Sequence, residues 1–82
     1  MITAEQIRSA RHALRMSVAD LSEVSGVSTA TIKRIEAMNG VPNSTSVNLA
    51  AIKKALEAAG IEFIGSPEEA PGIRIHGSGS KT

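Results

Sequence analysis

The chain has 82 residues, which is enough for one small domain with a thin margin of stability. It has no cysteine, and its two histidines lie far apart without a second ligand at a metal-like spacing, so we expect no disulfide, no metal and no cofactor. Phe63 is the only aromatic residue, which requires an aliphatic core and removes the usual stacking partners of single-stranded nucleic acid. There is neither a long apolar run nor a signal-peptide pattern, so a soluble cytoplasmic protein is expected.

The net charge of +1 is too small to indicate a nucleic-acid partner by itself. The distribution says slightly more, because residues 1–60 carry the excess of basic over acidic side chains and residues 61–82 do not. We interpret four basic residues as solvated rather than as specific contacts, namely Arg8, Arg15, Lys53 and Lys54.

Three helix starts share one pattern. Thr3 and Ser17 each begin a capping box that Gln6 and Asp20 complete, and Ser28 caps a third helix. Each cap is flanked by an apolar pair at the positions of a hydrophobic staple. The pattern predicts helices over residues 4–15, 18–25 and 29–38, and a fourth from about Ser44 or Thr45 to Gly60.

Apolar spacing predicts which side of each helix faces inward. The second and third helices should pack Leu21 and Val24 against Ile32 and Ile35. Only residues 26–28 separate these helices, so the turn must be tight, and Gly26 can adopt the backbone conformation that it needs. The fourth helix should bury its apolar side chains in the core, namely Val47, Leu49, Ile52, Leu56 and Ala59.

After Gly60 the period changes from helical to alternating. Residues 61–64 and 73–76 read as two strands, residues 65–72 as a loop rich in proline and glutamate, and residues 77–82 as a disordered tail. A lone hairpin is marginal in water, so we expect the strands to pair, dock on the fourth helix and continue into a second copy across a two-fold axis. The residues of this dimerisation or docking element are Ile61, Phe63, Ile64, Ile73 and Ile75.

The tight turn at 26–28 leaves the outer side of the third helix free. That side consists of Thr29, Ala30, Lys33 and Arg34, whose small, hydroxyl and basic groups suit base edges and phosphates rather than a core. On a helix without this context, the same side chains would be typical of an ordinary solvated face. Next to a complete two-helix unit we favour contact with double-stranded DNA.

Residues 16–36, with Leu21, Ser22, Gly26, Val27, Ile32 and Ile35 at the expected spacing, resemble the helix-turn-helix of the lambda repressor and Cro family, the XRE-type regulators. The resemblance covers residues 1–60 and implies a mainly α, four-helix DNA-binding domain, here followed by a short two-stranded β element. It also implies a structural salt bridge between Arg11 and Glu36. Val18 departs from the family, which often has a phosphate-binding glutamine there.

Carried over by position, the resemblance assigns base reading to Thr29, Ala30 and Lys33, with Arg34 on a base or a phosphate. It assigns contacts with the DNA backbone to Ser17, Ser28, Asn43 and Ser44. The family implies a homodimeric transcriptional regulator, most often a repressor. One alternative stays open: an antitoxin or other interaction module that binds a protein partner through residues 61–76. No catalytic motif occurs, and we expect no enzyme.

Overall fold

The computed structural model describes residues 2–42 and 44–76. They form four helices followed by a two-stranded antiparallel sheet, which makes the fold mainly helical. The elements, in chain order, are α1 (Ala4–Ala13), α2 (Val18–Ser25), α3 (Thr29–Glu36), α4 (Ser46–Ala58), β1 (Ile61–Ser66) and β2 (Glu69–Ile75).

The helices begin where side-chain caps were predicted. Thr3, Ser17 and Ser28 are the N-caps of α1, α2 and α3, and Thr45 caps α4. In each case the hydroxyl accepts a hydrogen bond from a backbone N–H that the helix itself leaves unpaired. The C-terminal ends of α1 and α3 come two residues earlier than predicted, and in α1 the positive φ of 57° at Arg15 marks the turn that follows.

One aliphatic core lies between the helices and reaches β1. Its fully buried side chains come from every helix, and Ile61 of β1 closes it. Two predicted core residues are wrong: Val24 is 55% exposed and Val47 is 75% exposed. In α2 the half-buried Ser22 comes four residues after Val18, so it lies on the same side as Val18 and next to the buried Leu21. Val24 lies outside this side, where it is exposed.

The sheet is a hairpin in which Ile61 pairs with Ile75 and Phe63 with Ile73. The predicted loop over 65–72 is wrong for most of its length, because β2 already begins at Glu69. A bulge between Ile64 and Ser66 accommodates the extra residue of β2, and it needs Gly65, whose φ is 75°. Pro71 fits within β2 because a two-stranded sheet has only edge strands.

The hairpin packs on the helices through one face. Phe63 and Ile73 lie against the core next to Ile61. The side-chain amide of Gln6 on α1 donates to the carbonyl oxygens of Ile64 (3.2 Å) and Gly72 (2.8 Å), one from each strand. The sheet therefore contacts both α1 and α4 rather than α4 alone.

Candidate nucleic-acid interface

The turn between α2 and α3 fixes how α3 leaves the body of the protein. Gly26 adopts the left-handed conformation (φ 78°) and its N–H donates to the carbonyl of Ser22 at 2.8 Å. The next residue, Val27, is buried and its N–H donates to the hydroxyl of Ser25 at 3.1 Å. A residue with a Cβ would be strained at position 26, so the reversal depends on glycine there.

The inner side of α3 is buried completely. Ile32 and Ile35 are both 0% exposed and belong to the core that also contains Leu21 of α2. Burying an aliphatic side chain of this size contributes about 1.5–3 kcal/mol relative to leaving it in water. These two side chains therefore hold the middle and the end of α3 against the body of the protein.

Glu36, the last residue of α3, is held by Arg11 of α1 through two parallel contacts. The Nε and Nη2 atoms of Arg11 each lie 2.8 Å from one carboxylate oxygen of Glu36. The hydrogen bonds that Arg11 donates to Glu36 raise the pKa of Arg11. A third guanidinium nitrogen, Nη1, donates to the carbonyl of Met16 at 2.9 Å, so Arg11 joins the ends of α1 and α3 to the start of α2. This is the pair that the family resemblance implied, and its two-point geometry resists rotation of α3.

Arg8 also holds the end of α3, which the sequence analysis did not predict. Its Nη1 donates to the carbonyl oxygens of Glu36 and Met38, so the interpretation of Arg8 as a solvated residue is wrong. The last carbonyl groups of a helix have no donor in a following turn, and a cation at a helix C-terminus is favourable because the helix dipole is negative there. The available signal was the spacing of three between Arg8 and Arg11, which puts both guanidinium groups on one side of α1.

The outer side of α3 is free of such contacts. All four residues predicted there are exposed, and Ala37 beyond them is exposed as well. Within residues 2–42 and 44–76, neither Lys33 nor Arg34 has an ion pair or a side-chain hydrogen bond, in contrast to Arg8 and Arg11. Thr29, Ala30, Lys33 and Arg34 are therefore all exposed, and we call these four residues the α3 outer face.

The residues predicted to contact a DNA backbone are placed less uniformly. The hydroxyl of Ser17 accepts from the backbone N–H of Asp20 at 3.0 Å, and the Ser28 hydroxyl lies 3.2 Å from the N–H of Thr31 and 2.9 Å from its hydroxyl. Both serines are exposed. The hydroxyl hydrogen of Ser17 remains available to donate to a phosphate oxygen, whereas that of Ser28 donates to Thr31 and would have to turn outward. Ser44 differs, because its hydroxyl is buried without a partner in the described part of the chain and would have to rotate outward to reach a phosphate. Asn43 lies outside the described residues.

A second polar cluster lies on the hairpin. One carboxylate oxygen of Glu62 lies 2.7 Å from Nε2 of His76 and 3.1 Å from Nη1 of Arg74. These hydrogen bonds, that of His76 first, lower the pKa of Glu62. All three side chains are largely exposed, which is typical of a surface pair across two strands. In the described part of the chain, no group of histidine, aspartate and glutamate is arranged to hold a metal ion.

Comparisons with known proteins add no family to this geometry: no family model matches the chain, and no curated protein matches it. None of the helices formed by the described residues has the length and apolar character needed to span a membrane.

Proposed function

We propose that this chain is a lambda repressor/Cro-like (XRE-type) transcriptional regulator that binds double-stranded DNA in a sequence-specific manner and acts as a repressor. In this proposal α2, the turn at 26–28 and α3 form the helix-turn-helix, and the α3 outer face enters the major groove. The observation that carries the proposal is the contrast between the two sides of α3: one is buried and held by Arg8 and Arg11, and the other presents Lys33 and Arg34 without partners among the described residues.

The dimensions of α3 support this proposal. A helix with its side chains is about 10–12 Å across, and the major groove of B-form DNA is about 12 Å wide. The exposed residues of the α3 outer face include small side chains that allow close approach and two cations that suit guanine edges or phosphates. The N-terminus of α3, capped by the exposed Ser28, adds the partial positive charge that a phosphate favours.

A homodimer in the cytoplasm is part of the proposal. One recognition helix contacts too few base pairs for useful selectivity, and related regulators combine two half-sites about one helical turn apart. The hairpin offers a surface for the second copy, because Ile75 lies on the same face of the sheet as the buried Ile61 yet is 55% exposed. An edge strand has unpaired backbone N–H and C=O groups, and an exposed apolar side chain on it favours pairing with a strand of another chain.

The same surface supports a second candidate function, in which residues 61–76 bind a different protein, as an antitoxin does. The exposed edge and Ile75 are what favour it. This candidate has less support than the first, since Ile61 is buried and Phe63 and Ile73 pack against the protein's own core. A catalytic role has no supporting observation among the described side chains.

Selection of bound duplexes from a random DNA library, followed by fluorescence anisotropy on the selected sequence, tests the proposed function. The wild type is expected to select a defined half-site, and the double variant Lys33→Ala/Arg34→Ala is expected to lose binding while keeping its melting temperature. The matched control is Lys53→Ala/Lys54→Ala, which removes the same charge from α4 and should bind nearly as well. Equal losses in both variants, or no selected sequence, would contradict specific recognition by α3.

The oligomeric state is tested by light scattering after size-exclusion chromatography. A homodimer has twice the 8.5 kDa mass of the chain, and Ile75→Thr is expected to shift it toward monomer. Arg74→Thr, on the opposite face of the same strand, is the control. A wild-type monomer at high micromolar concentration would exclude the dimer, and a stoichiometric heterologous protein that co-purifies only with the intact hairpin would favour the second candidate.

A further inference from the structure

The α3 outer face is not symmetric about the direction that points away from the core. Successive residues of an α-helix are turned by about 100°, and the buried side of α3 is defined by Ile32, Ile35 and Glu36. Relative to the direction opposite these three, Ala30 and Arg34 lie within about 30°, whereas Lys33 lies about 75° away. Arg34 and Ala30 are therefore central on this face, and Lys33 is at its margin.

We infer that Arg34 reads a guanine, that Ala30 contacts the neighbouring base pair at a thymine methyl group, and that Lys33 contacts a phosphate. This inference rests on the proposed function and goes beyond it by naming the bases of the half-site. It also changes the roles expected from the sequence, where Lys33 was assigned to base reading and Arg34 was left between a base and a phosphate.

The chemistry of Arg34 fits a base at the floor of the groove. A guanidinium group donates two parallel hydrogen bonds, and guanine presents the matching pair of acceptors, O6 and N7, in the major groove. Arg34 makes no contact among the described residues that would have to be broken first, so its donors are available as a fork. Adenine offers a donor at one of these two positions and would leave a donor of Arg34 unsatisfied.

The chemistry of Ala30 sets how closely the helix can approach. Ala30 is exposed at the centre of the face, one turn before Arg34, and its methyl group is too short to hold the helix away from the bases. Apolar contact with the C5-methyl group of thymine is the one interaction that alanine offers in the major groove. Ala37, one turn beyond Lys33, is also exposed and small, which keeps the close approach along the helix.

The position of Lys33 at the margin suits the wall of the groove, where the phosphates lie. An ammonium group is a single point charge and gives little base discrimination compared with a planar fork. The net charge of the chain is only +1, so few phosphate contacts are expected and each should be visible in the salt dependence. Lys33 should thus account for about one unit of the slope of log K against log salt.

Two single variants separate these roles. Glutamine prefers adenine, so Arg34→Gln is expected to change the preferred base at one position of the half-site from guanine to adenine, by roughly 5- to 150-fold in relative affinity. Lys33→Gln is expected to weaken binding to all duplexes by a similar factor and to reduce the salt slope by about one, without changing the preferred sequence. Both residues are exposed, and melting temperatures near that of the wild type check that the variants fold.

Each outcome decides one of the two claims. If Lys33→Gln changes the preferred base, or if the selected half-site contains no guanine, the inference is overturned while the proposed DNA binding stands. A wild type that binds no duplex at low salt overturns the proposed function and the inference with it. As a second check, Arg34→Lys keeps the charge and is expected to weaken guanine preference while retaining the salt slope, which a purely electrostatic role for Arg34 would not produce.

Discussion

The helical part of the molecule (α1–α4, residues 2–59) and the hairpin (β1 and β2, with Gly60 and His76 at its ends) are held by different kinds of contact. The helices share a core of aliphatic side chains that are fully buried, among them Ile7, Ile52 and Leu56. Of the described hairpin residues, only Ile61 is buried, and the hairpin otherwise depends on half-buried side chains and on the amide of one glutamine.

Because of this difference, we expect that the hairpin can unfold while the helices stay folded, but not the reverse. Damage to the helical core removes the surface on which the hairpin packs, so both regions should unfold together. Damage to the hairpin removes little of the core, so the helices and the α3 outer face should remain. Local openings of this kind, at a cost below global unfolding, are common where few apolar side chains are buried.

The largest effect is expected from Leu56→Ala in α4, a position that is 0% exposed. The cavity it leaves should cost about 2–5 kcal/mol, a large share of the stability of a small domain. Urea unfolding followed by circular dichroism measures the loss. Val47→Ala on the same helix is the control, because Val47 is largely exposed and should cost under about 0.5 kcal/mol. Equal losses would mean that α4 is not packed as described.

A smaller and local effect is expected from Gly65→Ala. The new Cβ would clash with the carbonyl oxygen of Ala70, and φ at this position is positive. The hairpin should lose about 1–3 kcal/mol while the helices keep their stability. Amide hydrogen exchange resolves the two regions. Gly72→Ala is the control in the opposite strand, because a Cβ there meets only the Ile64 side chain at ordinary contact distances. Loss of protection in α1–α4 as well would show that the regions are coupled.

Gln6→Glu sharpens the comparison at the point where the two regions meet. The Gln6 side chain accepts from the Thr3 N–H at 2.8 Å and donates to Ile64 and Gly72 of the hairpin. Glutamate keeps the acceptor for the cap but removes both donors, so the hairpin should lose about 1–3 kcal/mol while α1 remains capped. Hydrogen exchange should show faster exchange in β1 and β2 alone. Thr3→Ala is the reverse test, because it removes an acceptor of the cap and spares the hairpin bonds.

The smallest effect is expected from acid. Hydrogen bonds lower the pKa of Glu5 and Glu62 from 4.5, through backbone N–H groups at Glu5 and through His76 at Glu62. A lowered pKa in the folded state means that the stabilisation is complete above about pH 4.5 and is lost as the pH falls through the folded pKa. Both carboxylates are exposed, so melting temperatures should be level from neutral pH to about pH 5 and decline modestly by about pH 3.

Variants divide that acid response between the regions. In the helical region, hydrogen bonds from Ser17 also lower the pKa of Asp20, so Glu5→Gln should remove only the part that Glu5 contributes. Glu62→Gln should remove the part carried by the hairpin. A decline that begins well above pH 5 would contradict the assignment to these carboxylates.

Much of the helical part could be predicted from sequence because its signals are local. The caps at Thr3, Ser17 and Ser28 and the reversal at Gly26 depend on residues within four positions of each other. The contact between Arg11 and Glu36 is long-range and came instead from the resemblance to a family. Val24 was misplaced since in a short helix a spacing of three and a spacing of four predict different buried sides. Val47 was misplaced because it lies two residues before the buried Leu49, which puts it about 200° away around α4.

The attachment of the hairpin could not be predicted in the same way. Gln6 looks complete as a capping residue, and nothing in its neighbourhood indicates two further bonds to residues 58 and 66 positions away. The start of β2 was missed because proline and glutamate suggest a loop, whereas an edge strand with a bulge tolerates both. The carbonyl acceptors of Arg8 have no sequence signature either, and its spacing of three from Arg11 was the one signal that it lies on the same side of α1.

Arg8 and Arg11 have a consequence for how this surface could change over time. The two arginines contact only the end of α3 and the backbone that follows it, at Glu36 and Met38. The core holds the helix through Ile32 and Ile35. None of these anchors involves an outward-pointing position, so a library randomised at the four outward positions should fold nearly as well as the parent. On this one eight-residue helix, the residues that stabilise the fold are therefore different from the residues that are exposed to a partner.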